Sequence, residues 1–215
     1  FIEGKKKIHP IIWVGIALSV FQQFVGINVV FYYGAELWQA AGFDESQSLL
    51  INVLAGITNI VSTFIAIALI DKIGRKPLLL VGSVGMFISL GVLSFIFGTA
   101  GFDELGKVAL SETMGTFALI TANLFVVFFG LSWGPVVWVL LGEMFNNRIR
   151  GAALAIAASA QWIANFAITM TFPIILGSMG LAVAYGLYTV SAFISIFFVI
   201  KYIKETRGVR LEEMD

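Results

Sequence analysis

Apolar residues run through this chain in long unbroken blocks, and the charges are confined to the short gaps between them. Uncharged stretches cover Pro10–Ala35, Ser46–Ile70, Pro77–Phe102, Thr113–Gly142 and Gly151–Ile200. A helix needs roughly 20 apolar residues to cross a bilayer core about 30 Å thick. The first four stretches are one span each, with room for tilt. The fifth is two spans, divided at Gly177-Ser178-Met179-Gly180. The pattern predicts six transmembrane helices, at about 10–36, 47–70, 77–98, 113–143, 151–176 and 181–203. A linker (1–9) precedes them and a tail (204–215) follows. The chain reads as an all-α membrane protein, because backbone groups in lipid must be paired within each span. Strands of a membrane barrel would alternate apolar and polar residues over about 10 positions, and these blocks do not alternate.

Composition sharpens the picture. Hydrophobic residues make up 59% of the chain and charged residues 12%, against about 25% charged in a soluble domain. The net charge is zero, so there is no basic field for nucleic acid. Cysteine is absent, which excludes disulfides and thiolate metal sites. The chain begins at Phe1 and shows no signal-peptide pattern, and is expected to be a fragment of a longer protein.

Orientation follows from the Lys and Arg positions. Lys5, Lys6 and Lys7 precede span 1; Lys72, Arg75 and Lys76 lie between spans 2 and 3. Arg148 and Arg150 separate spans 4 and 5, and Lys201, Lys204, Arg207 and Arg210 follow span 6. All of these fall on one face of an alternating topology, and only Lys107 falls on the other. The clustered face is expected to be cytoplasmic, with both termini on it and the chain multi-pass in the cell membrane. Glu36, Asp44, Glu45, Asp103, Glu104 and Glu112 fall on the outer side.

Polar side chains inside spans need a partner or a cavity. Span 1 reads Phe21-Gln22-Gln23-Phe24-Val25-Gly26-Ile27-Asn28, then Phe31-Tyr32-Tyr33. On a straight helix Gln22, Gly26 and Tyr33 share a face, at about 100° per residue, while Asn28 and Tyr32 point elsewhere. A break near Gly26 brings both sets to one cavity, as in transporters with Gly-interrupted helices. The alternative is that the amides only bond neighbouring helices. Span 2 places Gly56, Asn59 and Thr63 on one face, where Asn59 reads equally as glue or as ligand contact. Span 4 carries Trp133-Gly134-Pro135-Val136-Val137-Trp138; Pro135 predicts a kink, and a Trp beside it offers a flat floor for a sugar ring. The alternative is a pair of interfacial tryptophans. Span 5 has Gln161 and Asn165 as i, i+4 neighbours, with Trp162 beside them. Span 3 holds only Ser and Gly among its apolar residues; it and span 6, with Tyr185, Tyr188 and Thr189, read as packing or lipid-facing helices.

No span carries a carboxylate, His or Lys at its centre. The site is thus amides and aromatics, suited to a neutral polyol rather than an ion, amino acid or phosphate. No cofactor or metal is expected. An enzyme is not expected either, since no nucleophile or acid/base pair is present in the spans. His9, the one histidine, reads as structural. At the clustered face, Asp71-Lys72-Ile73-Gly74-Arg75-Lys76 is a tight turn with opposite charges, and Glu143 ends span 4 with Arg150 seven residues on. These are candidates for inter-helix ion pairs that hold one gate state; the alternative is topological charge alone.

Taken together, the strings QQFVGINVVFYY (22–33), DKIGRK (71–76), SWGPVVWVLLGEMFNNRIRG (132–151), the trio Gln161, Trp162 and Asn165, and KETRGVRLEE (204–213) resemble the sugar porter family of the major facilitator superfamily. The similarity spans essentially the whole chain and looks like the C-terminal six-helix half of the family's fold; bacterial proton-coupled glucose and xylose porters look most similar. The resemblance implies transmembrane transport of a monosaccharide, hexose or pentose, by alternating access. The missing N-terminal six-helix half is then the partner, with proton coupling expected in the full-length protein. It implies sugar binding at Gln22, Gln23, Asn28, Asn59, Trp138 and Gln161, and more weakly Gly134. It implies an inner salt-bridge set of Asp71, Arg75, Glu143 and Arg150. The chain departs from the family at Lys204 and Arg207, where the tail usually reads Pro-Glu-Thr-Lys-Gly. It also departs at Gly130, where the human facilitators carry an acid. Competing readings are a membrane sugar sensor, disfavoured by the short tail, and an inactive half-transporter.

Overall fold

The computed structural model describes residues 9–104 and 108–208. Lys5, Lys6, Lys7, Lys107 and Arg210, with most of the predicted linker and the end of the tail, lie outside the described residues. Among the described residues eight helices follow in order: α1 (Pro10–Phe24), α2 (Ile27–Tyr32), α3 (Gly34–Ala40), α4 (Glu45–Ile73), α5 (Arg75–Thr99), α6 (Glu112–Leu131), α7 (Pro135–Met144) and α8 (Arg150–Tyr202). Five helical stretches among the described residues are long and apolar enough to cross a membrane. The last, α8, has 53 residues and at 1.5 Å per residue would reach about 80 Å. It is not one straight rod: Gly180 stands at φ 83, ψ 176, a non-helical conformation, at the division expected from its Gly-Ser-Met-Gly string.

The described residues are predominantly helical, as expected, with one short exception. A two-stranded antiparallel ladder, β1 (Gly101–Phe102) against β2 (Val108–Ala109), closes the connection from α5 to α6. Span 1 and span 4 are interrupted near Gly26 and beside Pro135, where a break and a kink were expected. Span 1 is α1, α2 and α3, broken at Gly26 and again at Tyr33. Span 4 is α6 and α7, broken across Ser132–Gly134, with Pro135 opening α7. Pro135 has no N–H to continue the ladder and its fixed φ suits a first helical turn.

Helix ends are capped by the chemistry the sequence offers. Asp44 and Gln47 form a reciprocal capping box at the start of α4. Ser111 accepts from the Met114 N–H at the start of α6, and His9 Nδ1 from the Ile11 N–H at α1. The connection from α4 to α5 is a single residue, Gly74 at φ 103, tighter than a conventional turn.

The core lies where α1, α5, α6, α7 and α8 meet, around Leu18, Leu79, Leu90, Phe125, Trp133 and Leu140. Helix α4 contributes mainly small residues, Ser48, Ala55, Ser62 and Ala66, and exposes Leu50, Phe64 and Ile67. In water such a face would be costly; against lipid or a further helical layer it is not.

Gly26 fixes the first break. Its φ is 84, in the left-handed region, and a Cβ there would lie 2.5 Å from Tyr188 Cδ2. Gly26→Ala should therefore cost about 1–2 kcal/mol for the left-handed backbone, plus about 1–3 kcal/mol for the collision. Thermal unfolding in detergent should show a clearly lowered Tm. Adding Tyr188→Ala should not restore it fully, because the backbone cost remains; an unchanged Tm for Gly26→Ala would mean that the break is not built as described.

Candidate functional site

The breaks at Gly26 and at Ser132–Gly134 lie beside one another. Each interrupts a helix whose backbone groups then need partners. Gln22, the third-last residue of α1, supplies them for the second break. Its Nε2 donates to the carbonyls of Trp133 (2.8 Å) and Gly134 (3.2 Å). Its Oε1 accepts from Gln161 Nε2 at 2.6 Å, and more loosely from Gln23 Nε2 at 3.5 Å. A primary amide has two N–H donors and one oxygen with two lone pairs. Gln22 is thus fully used, and it is buried. Its charge-free bonds join α1, the α6–α7 break and α8.

Trp133 locks the same break from the other side. It is fully buried, and its indole N–H donates to Ser83 Oγ at 2.8 Å, with the Leu79 carbonyl at 3.2 Å. Ser195 Oγ reaches Ser83 Oγ at 2.9 Å. The serines of α5 and of the second part of α8, unremarkable in sequence, hold the tryptophan.

Beyond Gln22 the amides retain capacity. Asn28, in α2, donates to Gln23 Oε1, leaving its own oxygen free. Asn59 Oδ1 is buried with no partner. These groups surround a cavity of about 360 Å³ lined by Gln22, Gln23, Asn28, Asn59, Gly134, Trp138 and Gln161, with Asn165, Trp162, Phe31, Tyr32, Phe129 and Ile27. The structure brings together all seven residues singled out in sequence for ligand contact. The break at Gly26 does this: it turns α2, and Asn28 with it, toward the face that carries Gln22. Asn165 is buried on the same wall. Its i, i+4 relation to Gln161 was the available signal, and it belonged to the resembling trio, but the sugar-binding set implied by the resemblance took only Gln161. Phe129 and Ile27 had no signal, since apolar residues in an apolar span are indistinguishable by sequence.

Trp138 lines the cavity and is 44% exposed. Gly130 packs directly on Asn59 and Ser62; a Cβ there would lie 2.7 Å from Ser62 Cβ and 3.1 Å from Asn59 Oδ1. An acid at position 130 would displace Asn59.

At the charged end, Arg75 holds a bidentate pair with Glu143: Nη2 to Oε1 at 2.6 Å and Nε to Oε2 at 2.9 Å. The fork geometry makes such a pair stronger than a single contact. Arg75 Nη1 also reaches Asp71 at 2.9 Å, but Asp71 is mostly exposed, so that contact is worth little. Arg150 does not join them. Among the described residues it forms no ion pair; its Nε donates to the Phe145 carbonyl at 3.2 Å, and its buried Nη2 has no partner. Of the two arginines that could reach Glu143, Arg75, from α5, takes both carboxylate oxygens.

Two residues of the departing tail complete this cluster. Thr206 Oγ1 donates to Glu143 Oε2 at 2.6 Å. Glu205 accepts the N–H groups of Arg75 and Lys76, both at 3.0 Å, capping α5. Burial alone pushes the Glu205 carboxyl up, but N–H groups of Arg207, Arg75, Lys76 and Thr206 outweigh it and hold it below the ordinary carboxylate range. The cap is therefore fully present above that range and lost as pH falls through the lowered value. The Lys204 and Arg207 departures had drawn attention to the tail, while the Glu-Thr between them makes the contacts.

The sequence and fold have known counterparts. A family profile described as sugar (and other) transporter matches residues 1–215. The glucose transport protein of Synechocystis sp. is 59% identical over 213 residues, covering 99% of this chain and 45% of that protein. The D-xylose-proton symporter of Escherichia coli is 40% identical over 211 residues, covering 95% of this chain and 40% of that protein. The solved structure of the proton:xylose symporter XylE bound to 6-bromo-6-deoxy-D-glucose superposes with a TM-score of 0.81 at 38% identity, covering 95% of this chain and 42% of that one. This chain thus spans less than half the length of these relatives.

Gln22→Ala should lower stability more than any other change among the lining amides, by about 1–3 kcal/mol, because it leaves the Trp133 and Gly134 carbonyls and the Gln161 amide without their partner. Thermal unfolding of the Gln22, Gln23 and Asn28 alanine variants side by side would show it; equal losses for all three would mean that Gln22 is not the joint.

Proposed function

This chain belongs to the sugar (and other) transporter family, and from that premise we propose that it is the C-terminal half of a monosaccharide transporter of the major facilitator type. In this reading α8 is two spans, 150–179 and 181–202, so that the half has six. The cationic face, with both termini, is cytoplasmic, and the membrane is the cell membrane. The exposed faces of α4 and of α8 around Trp162, Ile163 and Phe166 meet lipid or the N-terminal six-helix half. That half is expected to hold the acid for proton coupling, as the similarity to proton symporters suggests.

The observation that carries the reading is the cavity. Unsatisfied or partly satisfied amides converge from α1, α2, α4 and α8 beside an aromatic ring, and no charged group lines it. Hydroxyl groups both donate and accept, and so do amides; a sugar matches this lining in a way that an ion or a purely apolar ligand does not. Gln23, Asn28, Asn59 and Gln161 contact hydroxyls, and Trp138 and Gly134 form the wall. Gln22 contacts the sugar only by exchanging one of its present bonds. Glucose and xylose, the substrates named for the similar proteins, define the size class.

At the charged end Arg75, Glu143 and Thr206 tie α5, α7 and the tail together, and Asp71 and Arg150 flank them. We propose that this cluster holds the state in which the cytoplasmic mouth of this half is closed.

In the full-length protein reconstituted in vesicles, uptake of labelled glucose or xylose should be saturable, and Gln161→Ala should weaken binding at least about tenfold, the equivalent of about 1.4 kcal/mol, with insertion unchanged. Absence of binding by every hexose and pentose tried would overturn the transport reading; normal affinity in the variant would remove Gln161 from the site.

Glu143→Gln should shift the population toward the cytoplasm-open state and slow net transport more than it weakens binding. Spin-label distances across that mouth would report it. An unchanged distribution would leave these charges as topology signals only.

A further inference from the structure

Helix α2 is six residues long, too short to hold its own conformation, yet it carries Asn28 to the cavity. Something must fix both of its ends. Its start is set by Gly26 against the Tyr188 ring. Its end is Tyr33, at φ −114, ψ 20, the joint between α2 and α3.

The Tyr33 hydroxyl donates to the backbone carbonyl of Thr169 at 3.0 Å. A helical carbonyl normally accepts from the N–H four residues on, and for Thr169 that residue is Pro173, inside α8. Proline has no N–H to give. The Thr169 carbonyl is therefore orphaned by the sequence of its own helix, in a segment where lipid offers no replacement. Tyr33 fills the vacancy, and its ring packs on Phe172 with centroids 5.3 Å apart. The other attachment at this end is weaker: Asn52 Nδ2 lies 3.4 Å from the Phe31 carbonyl.

We propose that Tyr33 is a positioning residue for the binding site, acting through the carbonyl that Pro173 sets free, and that this bond holds α2 so that Asn28 faces the ligand. The proline and the tyrosine are one device: the first frees an acceptor inside the membrane, and the second supplies its donor. Movement of α2 away from α8 breaks the bond and leaves the carbonyl bare. The ligand part of this rests on the sugar-site reading above; the attachment of α2 to α8 does not.

The test uses the full-length protein and two variants. Tyr33→Phe removes one hydroxyl and keeps the ring stacked on Phe172. Pro173→Ala returns an N–H to the Thr169 carbonyl. Nitroxides at the exposed positions 36 and 178 report the separation of α3 from α8. Tyr33→Phe should broaden that distance distribution and raise the Kd and KM for glucose or xylose about three- to tenfold, the value of one hydrogen bond, with the maximal rate much less changed. In the Pro173→Ala background the same tyrosine change should cost less than about twofold, because the carbonyl now has a partner of its own. Two effects that simply multiply would overturn the proposal. So would an unchanged distance distribution in Tyr33→Phe, which stands whether or not a sugar binds. If Tyr33→Phe loosens α2 while the unaltered protein binds no sugar, the attachment holds and the sugar reading fails.

Discussion

Backbone pairing in lipid is the constraint on which the rest of this structure depends. A helix interrupted inside a membrane strands carbonyls and N–H groups that water cannot reach, and this chain interrupts its helices at Gly26, at Tyr33, at Ser132–Gly134 and at Gly180, and loses one ladder bond at Pro173. Three of these sites are answered by a side chain from another helix. Gln22 serves the carbonyls of Trp133 and Gly134, Tyr33 serves Thr169, and Asn52 approaches Phe31. These three sites and their partners cluster around the cavity because the same polar groups that repair backbone also make a polar lining. A membrane helix without breaks would need none of them and would present a ligand with little except apolar surface.

This gives the amides unequal roles that their identical chemistry conceals. Gln22 is saturated and acts as a joint between three helices. Gln161 lends it one N–H and keeps the rest of its capacity. Asn59 is the opposite extreme: its Oδ1 is buried against Gly130 without a partner, and its desolvation is uncompensated. Amides with spare capacity at the cavity, such as Asn28 and Gln161, are the ones able to select, since a ligand lacking the matching hydroxyl leaves them unpaired.

The charged end follows another logic. Arg75 is nearly buried and needs a fixed counter-charge, and Glu143 supplies it through both oxygens. Glu205 does no ion pairing with Arg75; it caps the helix that begins there. One short stretch of tail thus closes α5 through Glu205 and touches Glu143 through Thr206. Loss of the tail contacts would loosen α5 and α7 at once, which is how a segment outside the bilayer can bear on the arrangement of helices within it.

The hydrophobic blocks and charge clusters determined much of this in advance. Apolar runs of span length leave few alternatives to transmembrane helices, and Gly26, Pro135 and the Gly-Ser-Met-Gly string marked breaks because their backbone chemistry permits or demands them. The strings around Gln22, Trp138 and Gln161 made the candidate site legible by family resemblance, and the cavity collects those residues. Other features were decided only by tertiary structure. That Arg75 rather than Arg150 takes Glu143 depends on where helix ends meet, and either spacing looked serviceable along the chain. The bonds of Gln22 to Trp133, Gly134 and Gln161, the Trp133–Ser83–Ser195 contacts and those of the tail's Glu205 and Thr206 all join residues at least 50 positions apart. Sequence periodicity reports which face of a helix is apolar, but a hydrogen bond between helices depends on their rotation and depth relative to one another. Those quantities are set by the packing of all the helices together, and no single segment encodes them.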